Sequence, residues 1–209
     1  MSLQTLHQFR LLLAVIASVT VYSGTALAAS ILPSEEPPTP FEAWQASAGD
    51  SFLVDTDRNV GYLLHADGGY TTFPVVTGQR RTVRYIGRTY NASTPTVSWK
   101  ALNEETKGDR ITFGKLGRFL RLYNTEDGEP ERTPYGIHSH ASAEKMLAST
   151  DRYRSMGCII VSENVLDTII ESFALNGNAL TVRTVQSLGD ESISFEMLRE
   201  RMSALNTQQ

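Results

Sequence analysis

Hydrophobic and polar positions alternate in short runs along the chain from Ser51 onwards. Runs rich in β-branched and aromatic residues occupy 51–55, 60–65 and 70–76, and turn residues separate them at 57–59 and 67–69. Such runs with hairpin turns between them are typical of a β-meander. The same pattern predicts later strands at 83–86, 111–113, 119–123, 136–138, 157–161 and 180–185.

Helical signals are fewer. Residues 142–148 predict a short helix, and Ser162 before Glu163 is a typical N-cap for a second helix that ends near Asn176. Apolar residues recur at helical spacing within 190–205, which predicts a C-terminal amphipathic helix packed on the domain. The fold class is therefore mostly β, a small sheet or sandwich with a few short helices and a C-terminal helix.

The first 28 residues have the three parts of a secretory leader. Arg10 supplies the positive charge, an apolar run that Ser and Thr interrupt follows at 11–21, and Ala26 to Ala28 is a small-x-small cleavage site. The run is too short for a membrane span, which needs about 20 apolar residues. We predict a signal peptide at 1–28, export to the periplasm or cell wall, and no membrane span after cleavage; retention of the leader as an anchor is the alternative.

Composition divides the rest of the chain. Prolines at four positions from 33 to 40 predict a Pro-rich linker over 29–48. The strand-rich part, 49–186, is the main domain, and 187–209 is a helical tail.

The net charge is −4 and becomes −5 when the leader and its single basic residue are lost. A mildly acidic chain argues against a nucleic-acid partner, and we expect a monomer.

Metal and cofactor sites are not predicted. One cysteine and four histidines are too few, and too widely spaced, for a recognisable zinc site. The chain also has no glycine-rich phosphate loop. We therefore expect no metal and no cofactor.

The single cysteine, Cys158, is the main candidate for chemistry. Cysteines of exported proteins are normally paired, so an unpaired thiol is either a nucleophile or an inert core residue. Gly157 precedes it, and two histidines, His138 and His140, lie upstream. Because the thiolate is the attacking form, a cysteine nucleophile needs a base, and either histidine fits that role.

The stretch 135–161 resembles the signature of the YkuD-type L,D-transpeptidases of bacterial cell-wall synthesis. That signature is a histidine after an apolar strand, a gap, and Ser/Thr-His-Gly-Cys followed by an apolar residue and Arg or Asn. Gly136 to Ser139 matches the first half, and the second half is matched at Ser155, Gly157, Cys158 and Ile159. Met156 replaces the usual histidine, and Ile160 replaces the usual Arg or Asn.

The resemblance, which extends over about 51–185, implies a β-sandwich and acyl transfer. Cys158 is then the nucleophile and His138, at the motif position, the base in preference to His140. Ser139 would orient the imidazole, and the backbone at Gly157 would stabilise the oxyanion. The implied substrate is the peptidoglycan stem peptide, attacked after meso-diaminopimelate so that the terminal D-alanine leaves and an amine accepts the acyl group.

Substrate-binding candidates flank the motif. Tyr135 and Ser155 are close to it in sequence, and Arg84 and Arg154 are cations suited to carboxylates. Arg84 belongs to a basic segment at 80–88, for which a solvated hairpin face is the alternative interpretation.

The departures at Met156 and Ile160 leave other functions open. Relatives with a relaxed motif include peptidoglycan-cleaving hydrolases, so an L,D-carboxypeptidase or hydrolase is one alternative. A non-catalytic module that binds wall peptides is another. A papain-like protease is disfavoured, because its cysteine precedes its histidine in the chain.

Overall fold

The computed structural model describes residues 37–85, 87–189 and 193–204. The predicted signal peptide, 1–28, lies outside the described residues, as does the first part of the predicted linker. Within the described ranges, no helix has the length and apolar character needed to cross a membrane.

Strands make up most of the regular structure, which confirms the mostly β class. The described strands are β1 (Ser51–Asp55), β2 (Val60–Leu64), β3 (Tyr70–Pro74), β4 (Thr77–Gly78), β5 (Thr82–Tyr85), β6 (Arg88–Asn91), β7 (Ser98–Thr106), β8 (Arg118–Asn124), β9 (Glu131–His138), β10 (Tyr153–Ser155), β11 (Ile159–Ile160) and β12 (Leu180–Val185). The described helices are α1 (Ala143–Leu147), α2 (Glu163–Leu175) and α3 (Phe195–Ser203).

Eight strands form one sheet in the order β11-β9-β8-β7-β12-β1-β2-β3. Neighbours are antiparallel except for the parallel pairs β1 with β12 and β9 with β11. After β3 the chain reaches the opposite edge, where Val76 and Ile160 exchange backbone hydrogen bonds of 2.9 Å. The sheet therefore curls until its two edges meet, and it encloses the main core.

Strand alternation assigns side chains to two separate apolar clusters. Phe52 and Val54 point into the main core, where α2 packs through its buried face, whereas Leu53 points to the other side of the sheet. Leu198 of α3 is fully buried against that other side. Because successive residues of a strand face opposite ways, β1 is buried on both faces.

The predicted helices are present. Ser162 caps α2, its hydroxyl accepting the Val165 N–H at 3.3 Å, and Gly177 with φ of 70° follows the helix end. α1 lies within the predicted 142–148. α3 packs on the domain, as predicted.

The structure differs from the strand predictions in two ways. One predicted strand is absent, and β4, β6, β7 and β10 lie outside the predicted strands. The expected strand at 111–113 is wrong, because the Asp109 carboxylate accepts the N–H groups of Ile111 and Thr112 and fixes a turn there. Strand β7 was not predicted, since its second half is polar and shows no alternation. Solvent-facing positions of this kind carry little sequence signal.

The second half of the predicted linker, 29–48, packs on the domain. Thr39 donates a backbone hydrogen bond to β3, and Trp44 is 8% exposed. The Trp44 indole stacks on the His65 ring with centroids 3.7 Å apart. From Thr39 onwards the chain is therefore part of the folded unit.

Candidate active site

His138 lies on the face of β8, β9 and β11 that is turned away from the main core. Phe119 pairs with His138, and His138 pairs with Ile160, so the three residues form a row across the three strands. Arg121 pairs with Gly136 in the next row. Cys158, two positions before Ile160, comes beside Gly136, since alternate residues share a face.

A cavity of about 510 Å³ opens on this face. Five of the predicted site residues line it: Cys158, His138, His140, Ser155 and Arg154. The parallel pairing of β9 with β11 thus brings the cysteine and both histidines to one cavity.

Tyr135 packs against the turn that precedes Cys158. Gly157 has φ of 112°, a conformation that favours glycine. A Cβ atom at Gly157 would come within 2.5 Å of the Tyr135 ring. The Tyr135 ring in turn packs edge-on against Trp99, with centroids 5.8 Å apart. Both the backbone conformation and the space therefore require glycine before Cys158.

Ser155 closes the same turn. Its hydroxyl donates to the Cys158 carbonyl at 2.6 Å and accepts the Gly157 N–H at 3.1 Å. The Gly157 N–H is therefore occupied. Among the described contacts, the Cys158 N–H has no hydrogen-bond partner, so it is a candidate donor for an oxyanion.

His138 is 3% exposed, and its Nδ1 donates to the Ser139 carbonyl at 2.7 Å. Ser139 thus orients the ring through its carbonyl, whereas its hydroxyl is buried and has no partner among the described residues. Burial lowers the pKa of His138 to about 4, against the opposing effect of the Ser139 and Thr112 carbonyls. The imidazole is therefore neutral at pH 7, with its lone pair on Nε2.

His140 has the opposite tautomer. Its Nδ1 accepts the Ser142 N–H at 2.9 Å. The proton of a neutral His140 ring is then on Nε2, so the ring offers the cavity a donor and not a base.

The Cys158 thiol is protonated in the resting protein. Desolvation raises its pKa to about 11, although the Gly136 N–H and the charges of Arg121 and Lys107 act to lower it. No hydrogen bond joins Cys158 Sγ to His138 within the part of the chain that the structure describes. The two groups share the cavity as a neutral thiol and a neutral imidazole.

Sequence reasoning missed a cluster of charges at the cavity wall. Arg121 is 6% exposed and donates from Nε and Nη2 to the two carboxylate oxygens of Glu105. Lys107 also binds Glu105, and both cations lie over the Phe119 ring, 4.8 and 5.0 Å from its centroid. Because β7 was not predicted, nothing in the sequence paired Glu105 with Arg121.

Arg84 is placed differently from the other candidates. It lies exposed on the β5 and β6 hairpin, and the residue of β5 that lines the cavity is its neighbour Tyr85. Within the described ranges, no group of three His, Cys, Asp or Glu residues is arranged to hold a metal ion.

Residues 49–177 match the model of the L,D-transpeptidase catalytic domain family, YkuD. This chain belongs to that family. The match covers more than half of the chain and includes both halves of the cavity motif, which confirms the resemblance seen in the sequence. A comparison with curated proteins found no match.

Several solved structures are similar to this chain. They include the Xylanimonas cellulosilytica L,D-transpeptidase, at 21% identity over 72% of this chain and 65% of that one, with a TM-score of 0.47. Bdellovibrio bacteriovorus Bd1075 shares 13% identity over 78% of this chain and 57% of that one, with a TM-score of 0.49. The helical cell shape determining protein Pgp2 of Campylobacter jejuni shares 15% over 78% and 58%, with a TM-score of 0.42. The chain spans less than two thirds of the length of these proteins.

The two departures from the L,D-transpeptidase signature have definite surroundings. Met156, in place of the usual histidine, accepts a hydrogen bond at its sulfur from Gln79 Nε2 at 3.2 Å. Ile160, in place of Arg or Asn, is buried beside Val76 and Leu147. An apolar side chain suits that small cluster, so the motif cation of the family is absent from position 160.

Proposed function

We propose that this protein is an exported peptidoglycan L,D-transpeptidase in which Cys158 is the nucleophile and His138 the general base. The observation that carries the proposal is the convergence of Cys158 and His138 on one cavity, with His138 neutral and its Nδ1 held by Ser139. Family membership supports the reaction class. The leader-like sequence at 1–28 supports export.

In the first half-reaction, Cys158 Sγ attacks the amide carbonyl after the diaminopimelate of a stem peptide while its proton passes to His138 Nε2. The carbonyl oxygen becomes an oxyanion, and the free Cys158 N–H is suitably located to stabilise it. Collapse of this intermediate breaks the C–N bond. His138 then returns the proton to the departing amine of D-alanine, and a thioester remains on Cys158.

In the second half-reaction, an amine of another peptide attacks the thioester and gives its proton to His138. The C–S bond breaks, the thiol takes back a proton, and a new amide is formed. When water attacks instead, the same atoms perform hydrolysis and the protein is an L,D-carboxypeptidase.

The protonation states favour proton transfer during the attack over a preformed ion pair. A thiol pKa of about 11 and an imidazole pKa of about 4 mean that neither group is charged at pH 7. Catalytic hydrogen bonds are often long before substrate binds and shorten in the complex. We therefore expect the Cys158 and His138 side chains to approach each other when substrate fills the cavity.

Mass spectrometry of diaminopimelate-type tetrapeptide stems after incubation with the protein tests the proposal. Wild type is expected to give cross-linked dimers, and Cys158→Ala none. His138→Gln should slow thioester formation by about 10²- to 10⁴-fold, as loss of a general base does. His140→Gln, the matched control at the same cavity, should slow it less than tenfold.

Three outcomes would change the assignment. Shortened tripeptides without dimers would establish a carboxypeptidase. A larger loss with His140→Gln than with His138→Gln would transfer the base to His140. Untouched stems with wild type would refute acyl transfer and favour a binding module.

A further inference from the structure

The charged side chains that line the cavity are all cationic. Lys107, Arg121 and Arg154 contribute to its wall, and the described lining includes no carboxylate. The whole chain carries a net charge of −4, so this concentration of positive charge is local. A cleft lined by one sign of charge attracts ligands of the other sign.

Arg121 lies across β9 from Cys158, with Gly136 between the two residues. It faces Gly136 across β8 and β9, and Gly136 faces the Cys158 end of β11. Gly136 carries no side chain, and the Phe119 ring occupies the space where its Cβ would be. Adjacent strands are about 4.8 Å apart. The Arg121 backbone is therefore two strand spacings, or about 10 Å, from the Cys158 backbone.

Glu105 fixes the guanidinium but does not use all of its donors. Nε and Nη2 bind the Glu105 carboxylate, and Nη1 donates to the Thr133 carbonyl at 2.6 Å. A guanidinium has five N–H groups, so N–H groups on Nη1 and Nη2 remain. Glu105 is paired with Arg121 strongly enough that its own pKa falls well below the usual range.

Lys107 adds a second cation to the same anchor. It binds Glu105 and lies over the Phe119 ring, and both Lys107 and Arg121 line the cavity while Glu105 does not. One carboxylate therefore holds two cations, and the pair presents a net positive charge to the cavity. Arg132 also contacts Glu105, at 3.2 Å, but it is 62% exposed and lies outside the described lining.

We propose that Arg121 and Lys107, anchored by Glu105, form a subsite that binds a free carboxylate of the substrate beside Cys158. The proposal rests on the proposed function for the identity of the peptide. The carboxylate belongs either to the leaving residue or to the diaminopimelate side chain. Lys107, which directly follows β7, and Arg121 of β8 supply the positive charge that Ile160 lacks.

Binding of stem peptides to full-length Cys158→Ala protein, measured by NMR titration, tests the subsite. Three tetrapeptides are compared: the free acid, the form amidated at its C-terminus, and the form amidated at diaminopimelate. The free acid is expected to bind about 10- to 100-fold more tightly than one of the amides, as loss of a charge-assisted hydrogen bond implies. The weaker amide identifies the carboxylate that is bound.

Arg121→Gln is expected to reduce that ratio to less than about threefold, because its charge-assisted contact is gone. Lys107→Met, which leaves the Arg121 and Glu105 pair in place, should also lower the affinity ratio between the free acid and the amide. Arg132→Ala is the matched control, since it loosens the same anchor without touching the cavity, and it should leave the ratio unchanged. Thermal unfolding of each variant verifies that it is folded.

The inference is overturned if both amides bind as tightly as the free acid, if no peptide binds, or if both cavity variants keep the ratio. Turnover assays with wild type separate this result from the transferase proposal. Carboxylate-dependent binding without turnover would refute acyl transfer and support the subsite. Turnover by wild type, together with an affinity ratio that neither cavity variant changes, would support acyl transfer and refute the subsite.

Discussion

Hydrogen-bond partners decide what the two cavity histidines are able to do. Ser139 accepts from His138 Nδ1, and Ser142 donates to His140 Nδ1. Neutral His138 therefore keeps a lone pair on Nε2, whereas neutral His140 keeps a proton there. One backbone carbonyl and one backbone N–H thus make one histidine a possible base and the other a donor, although the two residues are only two positions apart.

The stability of the protein should decrease between pH 6.5 and pH 4 because of His138. Its pKa is lowered to about 4 by burial, whereas the unfolded chain takes up the proton near 6.5. The stabilising contribution of neutral His138 is complete above pH 6.5. It is lost as the pH falls to the pKa of about 4 in the folded state, by an amount on the order of 3 kcal/mol. Urea unfolding across this range measures the free energy of unfolding.

The matched measurement uses His138→Gln, which cannot titrate. The difference in free energy of unfolding between wild type and variant should narrow as the pH falls from 7 to 4.5. Glu105, whose pKa is lowered, is present in both proteins, so its own contribution to the pH dependence cancels in this difference. A difference that stays constant with pH would contradict the neutral, buried state of His138.

Residue spacing was sufficient to find part of the site. The position of His138 after an apolar strand, and of Cys158 after a glycine, indicated the two groups that meet in the cavity. Arg121 gave no such signal, because its partner Glu105 lies on a strand without hydrophobic alternation. The interpretation of Arg84 shows how face assignment limits prediction, since its neighbour Tyr85 lines the cavity and a shift of one residue in a strand changes the face.

At the scale of elements, the turn from Ser155 to Cys158 is fixed by contacts from its own chain and from β9. The Ser155 hydroxyl bridges Gly157 and Cys158, and Tyr135 of β9 packs against the glycine. The Cys158 backbone is therefore shaped before any substrate arrives. Such preorganisation is what positions reacting groups efficiently.

Gly157→Ala should destabilise the protein by at least about 2 kcal/mol, since it adds a steric conflict with Tyr135 to the cost of a positive φ. Thioester formation at Cys158 should also fall below detection. Thermal unfolding and mass spectrometry of the acyl-enzyme measure the two effects.

Gly128→Ala is the matched control. Gly128 has φ of 98°, yet a Cβ atom there meets no other atom within 4 Å. Its substitution should cost about 1 kcal/mol and leave thioester formation intact. Equal effects of the two substitutions would show that the Tyr135 contact is unimportant.

Elements with strong local signals were predictable, and those defined by long-range pairing were not. The cap of α2 at Ser162 and the turn residues between β1, β2 and β3 act over a few positions. The segment 111–113 is apolar enough to suggest a strand, but the Asp109 carboxylate competes for its amide groups. Such local capture is a frequent reason for a missing strand.

At the scale of the whole molecule, the folded unit begins earlier than the family match. The match starts at residue 49, whereas Trp44 belongs to the main core cluster. Asp50 strengthens this attachment, because its carboxylate binds His65 Nδ1 at 2.7 Å and the Ser172 hydroxyl at 2.6 Å. The segment from Thr39 to Asp50 therefore connects the end of β2, at His65, with α2, at Ser172.

Trp44→Ala should lower the free energy of unfolding by about 3 to 5 kcal/mol, as truncation of a buried tryptophan usually does. Urea unfolding of the two proteins provides the comparison. Tyr85→Ala removes an aromatic ring that is 54% exposed and should change stability by less than about 0.5 kcal/mol. A Trp44→Ala protein as stable as wild type would mean that the segment is only loosely attached.

The parallel pairing of β1 with β12 affects how the chain acquires its fold. The first and last strands of the sheet are neighbours at its centre, about 130 residues apart in sequence. Contacts this distant close late and slow the search for the native topology. A ribosome must release almost the entire domain before β1 finds its central partner. We therefore expect the newly made chain to stay open for longer than a chain built from local hairpins.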